Sequence, residues 1–270
     1  MTTPFKHPQP KTGLEAITGC WRDFRTAAAF LTRLPVGPFR VTEDVARPGY
    51  LSRSMAMFPL VGAGVGLAAA LALLGAYGLG LHPLASALIG IAVAVALTGA
   101  LHEDGLADLC DGLGGGRTRD DRLRIMRDSR IGTFGALAIV FSVGMRATIL
   151  AGMPTPGTAA AALVAAGALS RAALPVIVHW LPPARDEGMA AEAGRPDLAR
   201  VVAAVIIAFV IGLLVLDDRV VAAALLAAGV AAAGVALLAK SSLGGHTGDV
   251  LGASQQAAEI AALAAVAVIA

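Results

Sequence analysis

The sequence predicts an all-α, polytopic transmembrane helical bundle of about seven spans, with an N-terminal interfacial amphipathic helix. Three observations point there. Of 270 residues, 57% are hydrophobic and 15% charged, and the mean hydropathy is +0.74, far from the average of soluble domains. The apolar residues fall in blocks of about 20, the length that crosses a hydrocarbon core of roughly 30 Å. Lys and Arg also sort to one side when successive spans are laid out in alternation.

Residues 1–18 are polar and Pro-rich and read as a flexible tail; no apolar core with a cleavage site follows, so no signal peptide is expected. Residues 19–34 place Trp21, Phe24, Ala28 and Leu31 on one helical face bordered by Arg22, Arg25 and Arg33. That pattern predicts a helix lying on the membrane surface and stopping at Pro35. Candidate spans follow at 55–81, 83–101, 131–152, 158–181, 201–216, 220–239 and 257–270. The last is short unless it borrows residues 254–256 or sits in a thinned bilayer.

With this layout the N-terminal segment and the 102–130, 182–200 and 240–256 loops share one side and hold 18 of the 21 basic residues. The positive-inside bias then places the N-terminus and these loops in the cytoplasm and the C-terminus outside. Gly62, Gly64, Gly66 and the Ala-rich fourth and sixth spans allow close backbone approach. A tight bundle follows, with a homo-oligomer as its candidate assembly. Cys20 and Cys110 are too few for a disulfide framework and read as free thiols in a reducing compartment. The net charge of +2 gives no reason to expect a nucleic-acid partner. Residues 19–270 read as one integral membrane domain.

Between the second and third spans lies the one dense island of charge, HEDGLADLCDG (102–112), continuing through Arg117 to IMRDSRIGTFG (125–135). Asp104, Asp108 and Asp111 recur at i, i+4 and i+7, so on a helix they share a face. Like charges stacked this way repel unless a cation sits between them. Oxygen donors without His or Cys favour Mg²⁺ or Mn²⁺ over zinc. These three aspartates are the candidate metal ligands, and Mg²⁺ is the expected cofactor. Glu103 points off that face and is expected to be solvated. His102 stays open between ligand, acid–base group and structural residue.

The glycines at 112–116 suggest a flexible turn, and Arg117, Arg119, Arg122, Arg124, Arg127 and Arg130 follow it. Arginine suits bidentate phosphate contacts, although about half of these are expected only to face water or headgroups. Arg117 is the substrate-binding candidate among them. Asp128 and Arg130 stand at the mouth of the third span, and Asp128 is a candidate metal ligand or general base. The glycine-bearing loop at 244–253 surrounds Asp249 and is able to present N–H groups to a phosphate, with Gly245, Thr247 and Gly248 as contacts. Arg171 lies inside the fourth span, four residues before Pro175, and is expected to reach a cytoplasmic cavity and hold a substrate phosphate; pairing with a buried acid is the alternative. Arg146 is expected to snorkel outward.

HxDGLADxxDG, then R-x-R, then IMRDSRIGTFG, resembles the signature of the cobalamin synthase family, the adenosylcobinamide-GDP ribazoletransferases or cobalamin-5′-phosphate synthases. FLTRLP (30–35), FPLVG (58–62) and GGHTGDVLGA (244–253) are similar to the same family, so the likeness runs from about residue 24 to 260. One departure is Gln256, where family members often carry an acid; Glu259 remains nearby. The resemblance implies a Mg²⁺-dependent enzyme of the inner membrane that completes the nucleotide loop of vitamin B12. Adenosylcobinamide-GDP donates its cobinamide phosphate, the ribose 3′-hydroxyl of α-ribazole or its 5′-phosphate attacks, and GMP leaves. Asp104, Asp108 and Asp111 would then hold Mg²⁺ against the pyrophosphate, and Asp128 or Asp249 would accept the proton.

Two other classes compete. Asp108-x-x-Asp111-Gly112 looks like the opening of a CDP-alcohol phosphotransferase motif, but Gly115 and Gly116 replace its Ala-Arg pair and its Gly-x₃-Asp-x₃-Asp tail is missing. A transporter would carry acids and bases near the midplane of several spans, whereas here the polar residues gather on one side.

Overall fold

The computed structural model describes residues 13–35, 49–185, 188 and 192–270; residues 1–12 of the expected tail lie outside them. The described residues form helices, α1 (Gly13–Leu31), α2 (Tyr50–Ser54) with a 3₁₀ turn (Met55–Met57), α3 (Phe58–Gly78), α4 (Pro83–Thr98), α5 (Leu101–Gly115) and α6 (Arg119–Ile125). Then come α7 (Thr133–Ala151), α8 (Pro156–Trp180), α9 (Leu198–Val215), α10 (Asp218–Leu243) and α11 (Gly248–Ile269). Six helices, α3 and α7 to α11, are long and apolar enough to cross a membrane. Helices α4 and α5 pass the same test only as a pair bent by 89°, a broken span or a re-entrant hairpin, which makes six or seven spans.

That bend sets up everything below. Gly99 and Ala100 both adopt left-handed backbone, φ 64° and 59°, which for alanine costs about 1–2 kcal/mol. Arg33 braces the corner: its N–H donates to the Leu97 carbonyl at 2.7 Å and its side chain lies over Gly99. Thr98 and His102 share a small cavity with Gly66 and Ala69, near the middle of α3. Helix α5 therefore begins deep in the bundle and leads out to its end, where sequence reasoning placed an aqueous loop.

Small residues decide the packing. Helix α8 is the most buried span and packs along α3, where Gly62 and Gly66 face the backbone of α8 at Gly167 and Leu163 and leave no room for a side chain. Gly64, one face away, meets nothing. Alanines at 208, 224, 228, 232, 258 and 262 line the close approaches of α9, α10 and α11. Leu71, Phe141, Leu214, Leu226 and Val230 point outward, as a lipid-facing surface requires.

Three boundaries differ from expectation. Helix α1 begins at Gly13, not residue 19; Ala27, Ala28 and Leu31 dock on the bundle while Trp21, 60% exposed, stacks on Phe24 at 5.6 Å. The glycines at 112–115 are the last turn of α5 instead of a flexible turn, with Met126 and Phe134 lying against Gly112 and Gly114. The last span starts at Gly248, because its polar residues Ser254, Gln255 and Gln256 face the bundle interior and do not interrupt the helix. Successive spans alternate, so the starts of α3, α7, α9 and α11 and the ends of α5, α8 and α10 all collect at one end.

Candidate active site

Helices α5 and α11 cross where Gly105 meets Gly252. A Cβ built on Gly105 would stand 3.0 Å from the Cα and carbonyl oxygen of Asp249 and 3.2 Å from the Cα of Gly252. A side chain there would push α11 back by a few tenths of an ångström, and the close contact carries α5's acidic face against the first turn of α11. Asp104 and Asp249 line one cavity, and Asp108 lies within electrostatic reach of Asp104, Asp111, Asp249 and the cation Arg185. The charged island and the glycine-bearing connection, far apart in sequence, thus form one centre.

Asp111 is differently employed. Its carboxylate accepts from the backbone N–H of Gly132 at 2.7 Å and of Gly135 at 2.8 Å, capping the start of α7. The two glycines leave the space its oxygens occupy, which explains the spacing of the RIGTFG segment. Among the described residues no three carboxylate, His or Cys side chains converge on a metal-sized site. The expected ligand triad is therefore split: Asp104 lines the cavity with Asp249, Asp108 lies within electrostatic reach of both, and Asp111 anchors a helix. Mg²⁺ fits such a set, since it takes one or two carboxylates and completes its shell with substrate phosphates and water.

Asp128 and Arg130 close on each other. The Arg130 Nε and Nη2 donate to the Asp128 carboxylate at 3.0 and 2.7 Å, and these bonds hold Asp128 down at about 2. A carboxylate so acidic is a poor proton acceptor near neutrality, and the structure does not bring this exposed pair into the aspartate group. The other arginines divide by partner. Arg119 and Arg122 donate to the Leu243 and Ser242 carbonyls at the C-terminal end of α10, and also to those of Ala184 and Gly116 respectively. Arg124 pairs with Asp121. Arg117 is exposed, and neither it nor Arg127 makes a side-chain hydrogen bond or ion pair among the described residues.

In the connection to α11, Gly245 packs on the Pro182 carbonyl and the Ala184 nitrogen, so its lack of a side chain serves packing. A short bridge joins this stretch to residues 182–184: the Ala184 N–H donates to the His246 carbonyl at 2.8 Å and the His246 N–H to the Pro182 carbonyl at 2.9 Å. Thr247 caps α11, accepting from the Val250 N–H at 3.2 Å and donating to Asp249 Oδ2 at 3.2 Å. Gly248 is exposed, with open space above it.

Arg171 does not line the cavity of Asp104 and Asp249. It is 3% exposed; its Nη1 donates to the Gly167 carbonyl at 3.1 Å and lies 4.0 Å from Glu259. Arg146, expected to snorkel, turns inward and pairs with Glu103 at 3.0 Å and Glu259 at 3.3 Å. Glu103, expected in water, is buried in this group with Gln255 and Gln256. A guanidinium inside a bilayer is costly unless paired, and two arginines with two glutamates balance. Charge counting across the spans was the available signal, since each arginine there demands an acid from another helix.

Sequence reasoning also missed Arg185. The bridge at 182–184 presents it toward Asp108 and Asp249; its Nη2 donates to the Leu123 carbonyl at 3.0 Å and its buried Nε has no partner. Beside the crossing opens a cavity of about 200 Å³. Asp104, His102, His246 and Asp249 form its polar side, and side chains of α1, α2, α3 and α8 form an apolar one. Burial pushes His246 down to about 4, so its ring is neutral across the physiological range.

Residues 23–267 match the family model of cobalamin-5-phosphate synthase. The adenosylcobinamide-GDP ribazoletransferase of Bradyrhizobium diazoefficiens is 42% identical, over 93% of this chain and 95% of its own. Those of Azorhizobium caulinodans and Rhizobium etli strain CIAT 652 are 46% and 44% identical, over 89% and 91% of this chain and 93% and 96% of theirs. No solved structure matches. A bundle of six or seven spans with its acidic helix seated on the last one, matched by these sequences over nearly its whole length, belongs to the cobalamin-5-phosphate synthase family.

Proposed function

We propose that this chain is a membrane-embedded transferase that joins adenosylcobinamide-GDP to α-ribazole or its 5′-phosphate and releases GMP, working at the cytoplasmic face of the inner membrane. The observation that carries the reading is the meeting of Asp104 and Asp108 with Asp249 across the Gly105–Gly252 crossing, with Arg185 facing them. A pyrophosphate donor needs carboxylates for a divalent cation and arginines for its oxygens. Asp104 and Asp108 would hold Mg²⁺, which would supply charge neutralisation at the pyrophosphate. Arg185 and Arg127 take phosphate oxygens, since neither guanidinium is within ion-pair distance of an acid among the described residues. The 3′-hydroxyl oxygen bonds to the cobinamide-side phosphorus, the bridging P–O bond breaks, and GMP carries off the bridging oxygen. Asp249, held by Thr247 beside the open space at Gly248, receives the hydroxyl proton.

The test is the purified full chain with Mg²⁺, adenosylcobinamide-GDP and α-ribazole. One GMP per corrinoid product is expected, with loss of at least about a hundredfold in Asp104→Ala and Asp249→Ala. Failure to release GMP, or release of CMP from a CDP-alcohol donor instead, would overturn the assignment.

A further inference from the structure

We propose that the cavity beside the aspartates binds the nucleoside partner of the reaction, its apolar end receiving the flat aromatic base and His102 and His246 receiving the sugar. This deepens the function proposed above and rests on it. The cavity is two-sided. Its far wall is built by Leu51, Met55, Phe58, Leu174 and Val178, buried side chains of one apolar cluster. None of these side chains donates or accepts a hydrogen bond. Phe30 and Phe58 lie nearly parallel, ring centroids 5.9 Å apart and planes 13° from one another, a surface suited to a planar ring. The near wall is polar. His102 and His246 are 3% and 2% exposed, both line the cavity, and each has a buried ring nitrogen, Nε2 and Nδ1, with no hydrogen-bond partner. Buried imidazole nitrogens left unmatched in the protein call for a ligand that matches them. Asp104 and Asp249 close the same wall.

Size and polarity then choose among the reacting groups. A dry cavity of roughly 150 Å³ takes a benzene ring, so about 200 Å³ accommodates a fused two-ring base and excludes a corrin. Guanine is also planar, but its edge carries several donors and acceptors that this wall would leave unpaired, a penalty that rejects it. A largely apolar bicyclic base has no such edge. With the base against Phe58 and the sugar between the two histidines, the ribose hydroxyls face Asp249, where the proton must go.

The experiment measures steady-state GMP release by the full-length purified protein while α-ribazole and adenosylcobinamide-GDP are varied separately. In Phe58→Ala the KM for α-ribazole should rise about tenfold or more, the effect of removing one aromatic contact, and the donor's KM should stay within twofold. Val178→Phe narrows the cavity without emptying the core and should raise the α-ribazole KM in the same way; it serves if Phe58→Ala does not fold. His246→Gln, which keeps a hydrogen-bonding group, should affect α-ribazole less than His246→Ala. A rise in the donor's KM instead would put guanine in the cavity. No change in either KM would leave it to lipid or to packing, and both results overturn the proposal. A wild-type protein that releases no GMP at all overturns this proposal together with the reaction; a wild type that turns over while its α-ribazole KM ignores these variants overturns the cavity assignment alone.

Discussion

Replacing Glu103 with Gln keeps the side chain's shape and an acceptor oxygen but removes one of two negative charges from the ion group inside the bundle. Arg146 Nη2 lies 3.0 Å from Glu103 and its Nη1 3.3 Å from Glu259, while Arg171 lies 4.0 Å from Glu259. After the change two guanidiniums share one carboxylate. Charge centres about 4 Å apart interact by about 4 kcal/mol at an effective dielectric near 20, and breaking one partner of a buried pair typically costs about 3–5 kcal/mol. Arg146 and Glu103 are 2% and 8% exposed at their side chains, so solvent screening reduces this little. Against a total stability of about 5–15 kcal/mol, the variant should unfold many degrees below its parent. Arg146→Met in the same chain restores neutrality around Arg171 and Glu259, so the double variant should be more stable than the sum of the singles by about 2–3 kcal/mol. Cys110, half-buried on the same helix as Glu103, reports opening directly. Its thiol-labelling rate against temperature, in a Cys20→Ser background, gives the assay. A Glu103→Gln protein within about 1 kcal/mol of its parent, with the two substitutions additive, would mean the group is wet and would refute this account.

Asp111→Ala strands the N–H groups of Gly132 and Gly135 and should cost about 1–2 kcal/mol of stability. The Mg²⁺ concentration for half-maximal activity should stay within twofold, and a tenfold rise would return Asp111 to the metal. Gly62→Leu drives a side chain into the backbone of α8 and should destabilise by about 3 kcal/mol or more in a thermal melt, whereas Gly64→Leu, pointing into open space, should be near neutral. His246 titrates at about 4 in the folded protein, below its ordinary value near 6.5, because burial disfavours the charged ring. Its depressed value makes the stabilisation complete above pH 6.5 and lost as pH falls through 4, so melting temperatures should drop across that window and His246→Asn should flatten the decline.

The spans were legible because hydropathy is summed along contiguous residues, and so was the shared face of Asp104 and Asp108, because helical period is local. What escaped reading was set by contacts between helices. Arg146 looked like a residue near a membrane edge because its acid, Glu103, belongs to a segment whose depth depends on the Gly99–Ala100 corner. Hydropathy truncated α11 because a polar side chain facing the bundle counts the same as one facing lipid; Gln255 and Gln256 are 0% and 2% exposed and hydrogen-bonded inside. Arg185 carried no motif at all. Only the pairing of residues 182–184 with His246 brings it to the aspartates.

Successive residues on a helix point about 100° apart, and α5 uses this to separate two jobs. Glu103 turns into the bundle and is held by Arg146 and Gln256. Asp104 turns toward the cavity with Asp108 one turn further on, Gly105 is pressed on α11, and Asp111 is gripped by the first turn of α7. The helix is thus fixed at its start, its middle and its end by contacts that do not involve the carboxylates of Asp104 and Asp108. That arrangement answers the repulsion that three acids on one face would otherwise exert. The fold thus sets Asp104 and Asp108 near Asp249 by contacts made elsewhere on the helix, with Arg185 as the cation in their reach. Anchoring by charges buried in the bilayer also gives a physical reason for this centre to be membrane-built: the low dielectric around Arg146 and Glu103 makes their pairing strong enough to set the position of the next residue along.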